Sequence, residues 1–171
     1  MSINNKDMQF RSATEGDAAR IWEIIQQAQA QMRSLNSKQW QNGYPSPVNI
    51  ARDIEKGYGY VLTNDNQVVA YGAVIFDGEP AYDALEGKWL SDNPYVVVHR
   101  LAVADEVKKR GVATEFMHRV EELSLSKGIH SFRLDTNFDN HYMLKMLSTL
   151  GFTYCGEVMY QDPRKAFEKL L

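Results

Sequence analysis

A basic loop in the second half of the chain combines residue types that bind anions. Lys108, Lys109 and Arg110 precede Gly111, and an apolar β-branched run ends at Val103 just before them. An amphipathic segment follows the glycine, so the order predicts a strand, a tight loop and a helix. The first N–H groups of a helix are unpaired and its dipole is positive there. The loop is therefore predicted to bind phosphate, although a solvated turn has the same composition.

Two residues in predicted strands have side chains suited to proton transfer. His99 lies in an apolar strand, and histidine titrates near neutral pH, so it is a candidate base for an amine substrate. Strand periodicity places His99 on the face of Leu101 and Val103, opposite Arg100. Asp135, in a later strand, is a candidate for catalysis or substrate binding. The alternatives are structural: a core histidine, and a carboxylate that pairs with a buried Arg100.

Two motifs resemble those of one protein family. Lys108–Ala113 fits the phosphate loop Gln/Arg-x-x-Gly-x-Gly/Ala of the GNAT superfamily, the acyl-CoA-dependent N-acyltransferases, except that Lys108 replaces Gln or Arg. Asn140 followed by Leu150-Gly151-Phe152 matches a second signature in type and spacing. Neither a P-loop nor a dinucleotide fingerprint is present. The chain thus resembles a GNAT protein over residues 7–160.

The resemblance implies an acetyl-CoA site and no metal. In that family the pantetheine arm lies between two splayed strands, which correspond here to Tyr95–Val103 and Ser131–Thr136. Backbone groups of Leu101 and Val103 would then bind the pantetheine amides and the thioester oxygen. The residues expected to contact the cofactor are Leu101, Val103, Lys108, Lys109, Arg110, Gly111, Val112, Ala113, Thr114, Asn137 and Asn140.

One position departs from the family pattern. Many relatives carry a tyrosine that protonates the CoA thiolate, and its place seven residues after Asn140 is taken by Leu147. Leucine cannot donate a proton, so either another group supplies it or the thiolate leaves unassisted. Tyr142 lies on the same predicted helix but on a different side.

Composition limits the class of protein. A chain of 171 residues, 44% of them hydrophobic, fits one domain spanning residues 1–171. A net charge of −3 disfavours a general nucleic-acid binder. The single cysteine, Cys155, gives no sign of an oxidising compartment, and no long apolar run is present. We therefore expect a cytoplasmic protein that neither enters a membrane nor binds nucleic acid.

Periodicity and turn residues predict the elements that position these groups. In chain order they are a strand Met8–Arg11, helices Thr14–Ser34 and Val48–Lys56, a hairpin of Tyr58–Thr63 and Gln67–Phe76, an irregular insert Asp77–Pro94, a strand Tyr95–Val103, a helix Gly111–Ser126, a strand Ser131–Thr136, a helix Asn140–Leu150 and a strand Thr153–Tyr160. The resemblance implies an α/β fold, with a mixed and mostly antiparallel sheet flanked by helices. Its acceptor pocket is expected to be lined by aromatic residues: Trp40, Tyr44, Tyr82 and Trp89.

These observations favour an enzyme that transfers an acetyl group from acetyl-CoA to a primary amine of a small molecule or peptide by direct attack. The alternative is an acyl-CoA-binding or sensing module without catalysis, which Leu147 motivates. The family resemblance also makes a homodimer plausible. The acceptor is not identified, because a fold does not determine its substrate.

Overall fold

One mixed sheet forms the centre of the protein. A computed structural model describes residues 7–171, and the first six residues of the predicted domain lie outside that range. Within it the strands are β1 (Gln9–Ser12), β2 (Gly59–Asn64), β3 (Gln67–Ile75), β4 (Glu86–Gly87), β5 (Val96–Val103), β6 (Ser131–Asn137), β7 (Thr153–Tyr160) and β8 (Asp162–Leu170). They lie in the order β1-β2-β3-β5-β6-β8-β7-β4, and only the β5–β6 pair of this described sheet is parallel. The predicted sheet class is confirmed.

Helices cover both faces of the sheet. They are α1 (Ala18–Ser34), α2 (Pro47–Glu55), α3 (Val112–Ser126) and α4 (His141–Thr149). On β3, the hydroxyl of Tyr71 reaches Asp53 of α2. A Cβ atom at the next residue, Gly72, would lie 2.8 Å from the Phe116 ring of α3. Since successive strand residues point to opposite faces, α2 and α3 lie on opposite sides of the sheet.

A β-bulge in β5 changes the direction of the side chains that follow it. Ala73 pairs with His99 but Tyr71 pairs with Ala102, so β5 holds one extra residue against β3. Arg100 lies in this bulge with a φ of 58°. The prediction that Arg100 points away from His99 is therefore wrong, because a bulge interrupts strict alternation. Both side chains contact Tyr160 instead.

The two central parallel strands separate after a short contact. β5 and β6 pair only at Val96 with Phe132 and at Val97 with Arg133. Beyond these residues β5 stays paired with β3, and β6 stays paired with β8. The expected splay is thus confirmed, and it leaves a gap in the middle of the sheet.

The sequence prediction missed β8 and the short β4. β8 inserts between β6 and β7, and its buried residues include Arg164 and Glu168. Charged residues on the inward face hide the alternation that marks a half-buried strand, which explains the omission. The insert read as irregular contains β4 and a 3-10 turn over Pro80–Ala84.

The insert between β3 and β5 is fixed to the sheet by one arginine of β6. The Arg133 guanidinium lies between the rings of Trp89 and Tyr95, with its central carbon 4.2 and 4.3 Å from their centroids. Glu168 of β8 lies 3.4 Å from Arg133 Nε and accepts a 2.7 Å hydrogen bond from the backbone N–H of Leu90. Cation–π and charged contacts thus hold the insert against one face of the sheet. No helix of residues 7–171 is long and apolar enough to cross a membrane.

Candidate active site

The basic loop forms a corner at the start of α3. Gly111 caps the helix with a φ of 74°, a left-handed conformation that glycine adopts without strain. Glu115 N–H donates to the Gly111 carbonyl at 3.0 Å. The N–H groups of the three residues between them have no acceptor within the helix and point out of its first turn. Such an array is suited to an anion, and phosphate binding at this corner stays a prediction from the sequence.

A large cleft opens beside this corner. The α3 cleft, as we name it, has a volume of about 220 Å³ and lies between α1, β5 and the first turns of α3 and α4. Eight of the eleven predicted cofactor residues line it: Leu101, Val103, Lys108, Lys109, Gly111, Val112, Ala113 and Asn140. Arg110, Thr114 and Asn137 do not line it.

The free edge of β5 also faces the gap. Ala104 N–H donates to the Val69 carbonyl of β3 at 2.8 Å. Because N–H groups alternate along a strand, those of Val103 and Leu101 point the other way, towards β6. Since β6 has already diverged there, these donors are available to an extended ligand.

The start of α4 is held by the loop between α1 and α2. Asn140 caps α4 by accepting a hydrogen bond from Met143 N–H at 3.2 Å, and its amide donates to Gln39 Oε1 at 3.1 Å. Asp139 accepts hydrogen bonds from Ser37 Oγ and from the Lys38 backbone. The predicted cap role of Asn140 is confirmed, and its side chain borders the cleft at the same time. The side chain of Asn137 is used within the loop.

A second, smaller space adjoins the cleft through the splayed strands. This inner cavity has a volume of about 50 Å³, and Met32, Leu101, Asn140 and Met143 line both spaces. Its remaining polar lining is Gln39, Tyr44, His99, Arg100, Asp135, Thr136, Tyr160 and Arg164, with Trp40 beside them. Of the four aromatic residues predicted for the acceptor pocket, Trp40 and Tyr44 line the cavity, whereas Tyr82 and Trp89 do not.

His99 and Glu79 form a hydrogen-bonded pair at this cavity. His99 Nε2 lies 3.0 Å from Glu79 Oε2, and the imidazole stacks on the Tyr160 ring at a centroid distance of 4.6 Å. Burial alone would raise the pKa of Glu79, but its hydrogen bond and attraction to His99 lower that pKa overall. Glu79 is therefore ionised near neutral pH and can only accept, so Nε2 carries the hydrogen. In the neutral imidazole, the other ring nitrogen, Nδ1, is then the atom that can accept a proton.

A buried ion pair borders the same cavity. Arg100 binds Asp53 through two nitrogens, at 2.8 and 2.6 Å, and Asp53 also accepts from the Tyr71 hydroxyl. The predicted pairing of Arg100 with Asp135 is wrong, because the bulge directs Arg100 towards α2. Burial and hydrogen bonding raise the pKa of the Tyr71 hydroxyl, which stays protonated.

Two tyrosines share the remaining donor of Arg100. Arg100 Nη1 donates to the hydroxyls of Tyr44 at 2.7 Å and Tyr160 at 3.3 Å, and those hydroxyls are themselves 3.3 Å apart. Burial raises the pKa of Tyr160 well above its ordinary range, so the phenol keeps its proton. One O–H can bind the other, and the second O–H is free to donate to a ligand.

Asp135 pairs with Tyr82 of the insert and with Arg164 of β8. It accepts a 2.6 Å hydrogen bond from the buried Tyr82 hydroxyl and lies 3.6 Å from Arg164 Nη1. Burial, followed by the charge of Asp135, raises the pKa of Tyr82 well above its ordinary value. Asp135 therefore has a partner on each oxygen, and it lines the inner cavity; its role in catalysis or substrate binding stays a prediction.

Three side chains at or near α4 are relevant to the proton donor, because Leu147 takes the place of the tyrosine found in many relatives. Leu147 is 0% exposed within the core, so its position cannot reach a ligand. Tyr142 borders the cleft and is 62% exposed. Thr136, which the sequence did not single out, is 1% exposed, and its Oγ1 has no hydrogen-bond partner among the described residues.

Comparisons with known proteins define the class. The model of the acetyltransferase (GNAT) family matches residues 25–152. A GNAT-family acetyltransferase from Streptococcus agalactiae is 35% identical, and its structure aligns over 99% of both chains with a TM-score of 0.89. The chain therefore belongs to the GNAT acetyltransferase family.

More distant structures share the fold. A GNAT-family acetyltransferase from Listeria monocytogenes is 17% identical with a TM-score of 0.77, over 96% of this chain and 95% of that one. The ribosomal-protein-S18-alanine N-acetyltransferase of Escherichia coli is 13% identical with a TM-score of 0.63, over 96% and 92%. No curated protein matches the sequence. Within residues 7–171 no cluster of three or more His, Cys, Asp or Glu is suited to a metal ion.

Proposed function

We propose that the protein transfers the acetyl group of acetyl-CoA to a primary amine of a small molecule or peptide by direct attack. The observation that carries this proposal is the junction of the two spaces. The α3 cleft ends at residues that also line the inner cavity, where His99 and Glu79 form a base. A thioester bound from one side then meets an amine held on the other.

The cleft supplies the binding of acetyl-CoA. The pyrophosphate lies at the first turn of α3, where Gly111 leaves room and Lys108 and Lys109 add positive charge. The pantetheine amides pair with the free edge of β5 as a further strand would. The N–H of Leu101 or Val103 then stabilises the negative charge that develops on the carbonyl oxygen.

The inner cavity supplies the proton acceptor. The amine nitrogen attacks the carbonyl carbon, the new C–N bond forms, and the C–S bond breaks with its electron pair on sulfur. The proton lost by the amine goes to His99 Nδ1, and Glu79 stabilises the resulting imidazolium through Nε2. Asp135 and the tyrosine hydroxyls orient the acceptor.

The test is a calorimetric titration with acetyl-CoA followed by thiol release on a panel of amines. Binding with turnover on one class of amine supports the proposal. Binding without thiol release on any amine would favour the non-catalytic module, for which Leu147 is the motive. No binding would overturn both.

The proposal includes the organisation of the chain. We infer a single N-acetyltransferase domain over residues 1–171, since one sheet contains every strand between residues 7 and 171. Cytoplasmic location and a homodimer stay predictions from the sequence.

A further inference from the structure

A buried hydroxyl without a partner lines the inner cavity. Thr136 Oγ1 is one of two buried side-chain polar atoms of residues 7–171 that lack a hydrogen bond. The other, Arg133 Nε, lies 3.4 Å from the Glu168 carboxylate and so has a charged neighbour. A buried hydroxyl without any partner destabilises a fold, so its presence indicates a ligand that completes the bond.

Thr136 faces the side of the sheet opposite His99. Along β6, Phe132 and Thr136 share one face by the period of two, and Phe132 packs against Phe152 at the end of α4. His99 is in register with Ala73, which shares its face with Tyr71 and hence with α2. The inner cavity therefore passes through the sheet, with the base on one face and Thr136 on the other.

On the Thr136 face of the sheet, the residues of α3, β6 and α4 that line the cavity are largely apolar. Met117, Leu134 and Met143 line the same space, and Asn140 is already bound to Gln39 and to the α4 backbone. A hydroxyl in such surroundings makes a stronger hydrogen bond than it would in water. Thr136 lies on the α3 and α4 side of the sheet, from which a cofactor in the cleft would reach the inner cavity past Asn140 and Met143, which line both spaces.

We propose that the Thr136 hydroxyl donates a hydrogen bond to the sulfur of CoA and stabilises the thiolate as the C–S bond breaks. The inference rests on the proposed function. Thr136 keeps its own proton in this step: the electron pair of the C–S bond moves to sulfur, and the sulfur accepts the O–H hydrogen bond. The thiolate is thus stabilised without the tyrosine that Leu147 replaces.

The test compares Thr136→Val with Thr136→Ser. Valine keeps the shape and removes the hydroxyl, whereas serine keeps the hydroxyl. Thr136→Val is expected to lower kcat about tenfold and to raise the pKa of the bound CoA thiol by about one unit. The thiol pKa is measured from the ultraviolet absorbance of the thiolate as the pH is varied. Thr136→Ser is expected to keep both values near those of the wild type.

A stability measurement separates this role from a structural one. Since the hydroxyl has no partner in the free protein, Thr136→Val is expected to keep or raise the midpoint of thermal unfolding. A lower midpoint would assign the hydroxyl to the fold and overturn the inference. Equal thiol pKa values in wild type and Thr136→Val would overturn it while leaving the proposed function intact. Failure of the wild type to bind CoA would overturn both.

Discussion

The two halves of the site are built in different ways. The α3 cleft takes most of its anion-binding groups from the backbone of one continuous segment, 101–114. The inner cavity is lined by side chains whose partners are far apart in sequence, such as Asp53 for Arg100 and Glu79 for His99. A backbone site tolerates changes of side chain, whereas a site of paired charges depends on each partner. On the proposed function, the cofactor site can therefore stay the same while the acceptor site changes.

The largest expected effect breaks a pair of the inner cavity. Asp53→Asn leaves Arg100 buried without its counter-charge and is expected to cost about 3–5 kcal/mol in the free energy of unfolding. In the cleft, Lys108 forms a partly exposed pair with Asp105, so Lys108→Met is expected to cost less than about 1 kcal/mol. Urea denaturation measures both. Equal losses would remove the contrast between the halves.

The second prediction concerns the base. His99→Gln can still donate to Glu79 but cannot accept a proton, so kcat is expected to fall about a hundredfold. The Kd for acetyl-CoA, measured by calorimetry, should stay within about twofold because the cleft is unchanged. Equal losses of kcat and cofactor affinity would show that His99 supports the fold of both halves.

A third change tests the cleft alone. Gly111→Asp places a carboxylate where the pyrophosphate is expected and should weaken acetyl-CoA binding by about thirtyfold or more. Gly111→Asn is the matched control, because asparagine is neutral, similar in size and tolerant of a positive φ. Calorimetry on both variants isolates the charge. Similar affinities for Asp and Asn would remove this corner from the binding site.

The smallest effect lies outside both halves. Asp17 binds Arg11 and the Thr14 backbone before α1, and these hydrogen bonds lower the pKa of its carboxyl to about 2. The Asp17 carboxyl binds a proton more readily in the unfolded chain than in the folded protein. The stabilisation of the fold by the Asp17 carboxylate is therefore complete above pH 4 and is lost as the pH falls towards 2. Asp17→Asn should cost about 1 kcal/mol at neutral pH.

Urea denaturation between pH 3 and 6 follows this difference as the pH falls. The difference in the free energy of unfolding between wild type and Asp17→Asn should become smaller in acid. The affinity for acetyl-CoA should not change. A difference in the free energy of unfolding that is constant with pH would show that the charge of the Asp17 carboxylate does not stabilise the fold.

The sequence predicted what is local. The phosphate corner depends on consecutive residues, and the splay and its neighbouring helices followed from motifs in order along the chain. Asp53 and Glu79 were missed because one lies on an ordinary amphipathic helix and the other in the insert read as irregular. Only the fold brings Asp53 to Arg100 and Glu79 to His99. The bulge at Arg100 has no local signal, so the direction of that side chain was wrong.

Arg133, held between the rings of Trp89 and Tyr95, limits the movement of the insert between β3 and β5. It ties the insert to β6 before any ligand arrives, and Glu79 and Tyr82 belong to that insert. The wall behind His99 is thus set in place by internal contacts, so little conformational entropy is lost there on binding. If the protein acts on amines as proposed, selection among them at this wall works by steric exclusion from a preformed pocket and not by closure of the pocket around each amine.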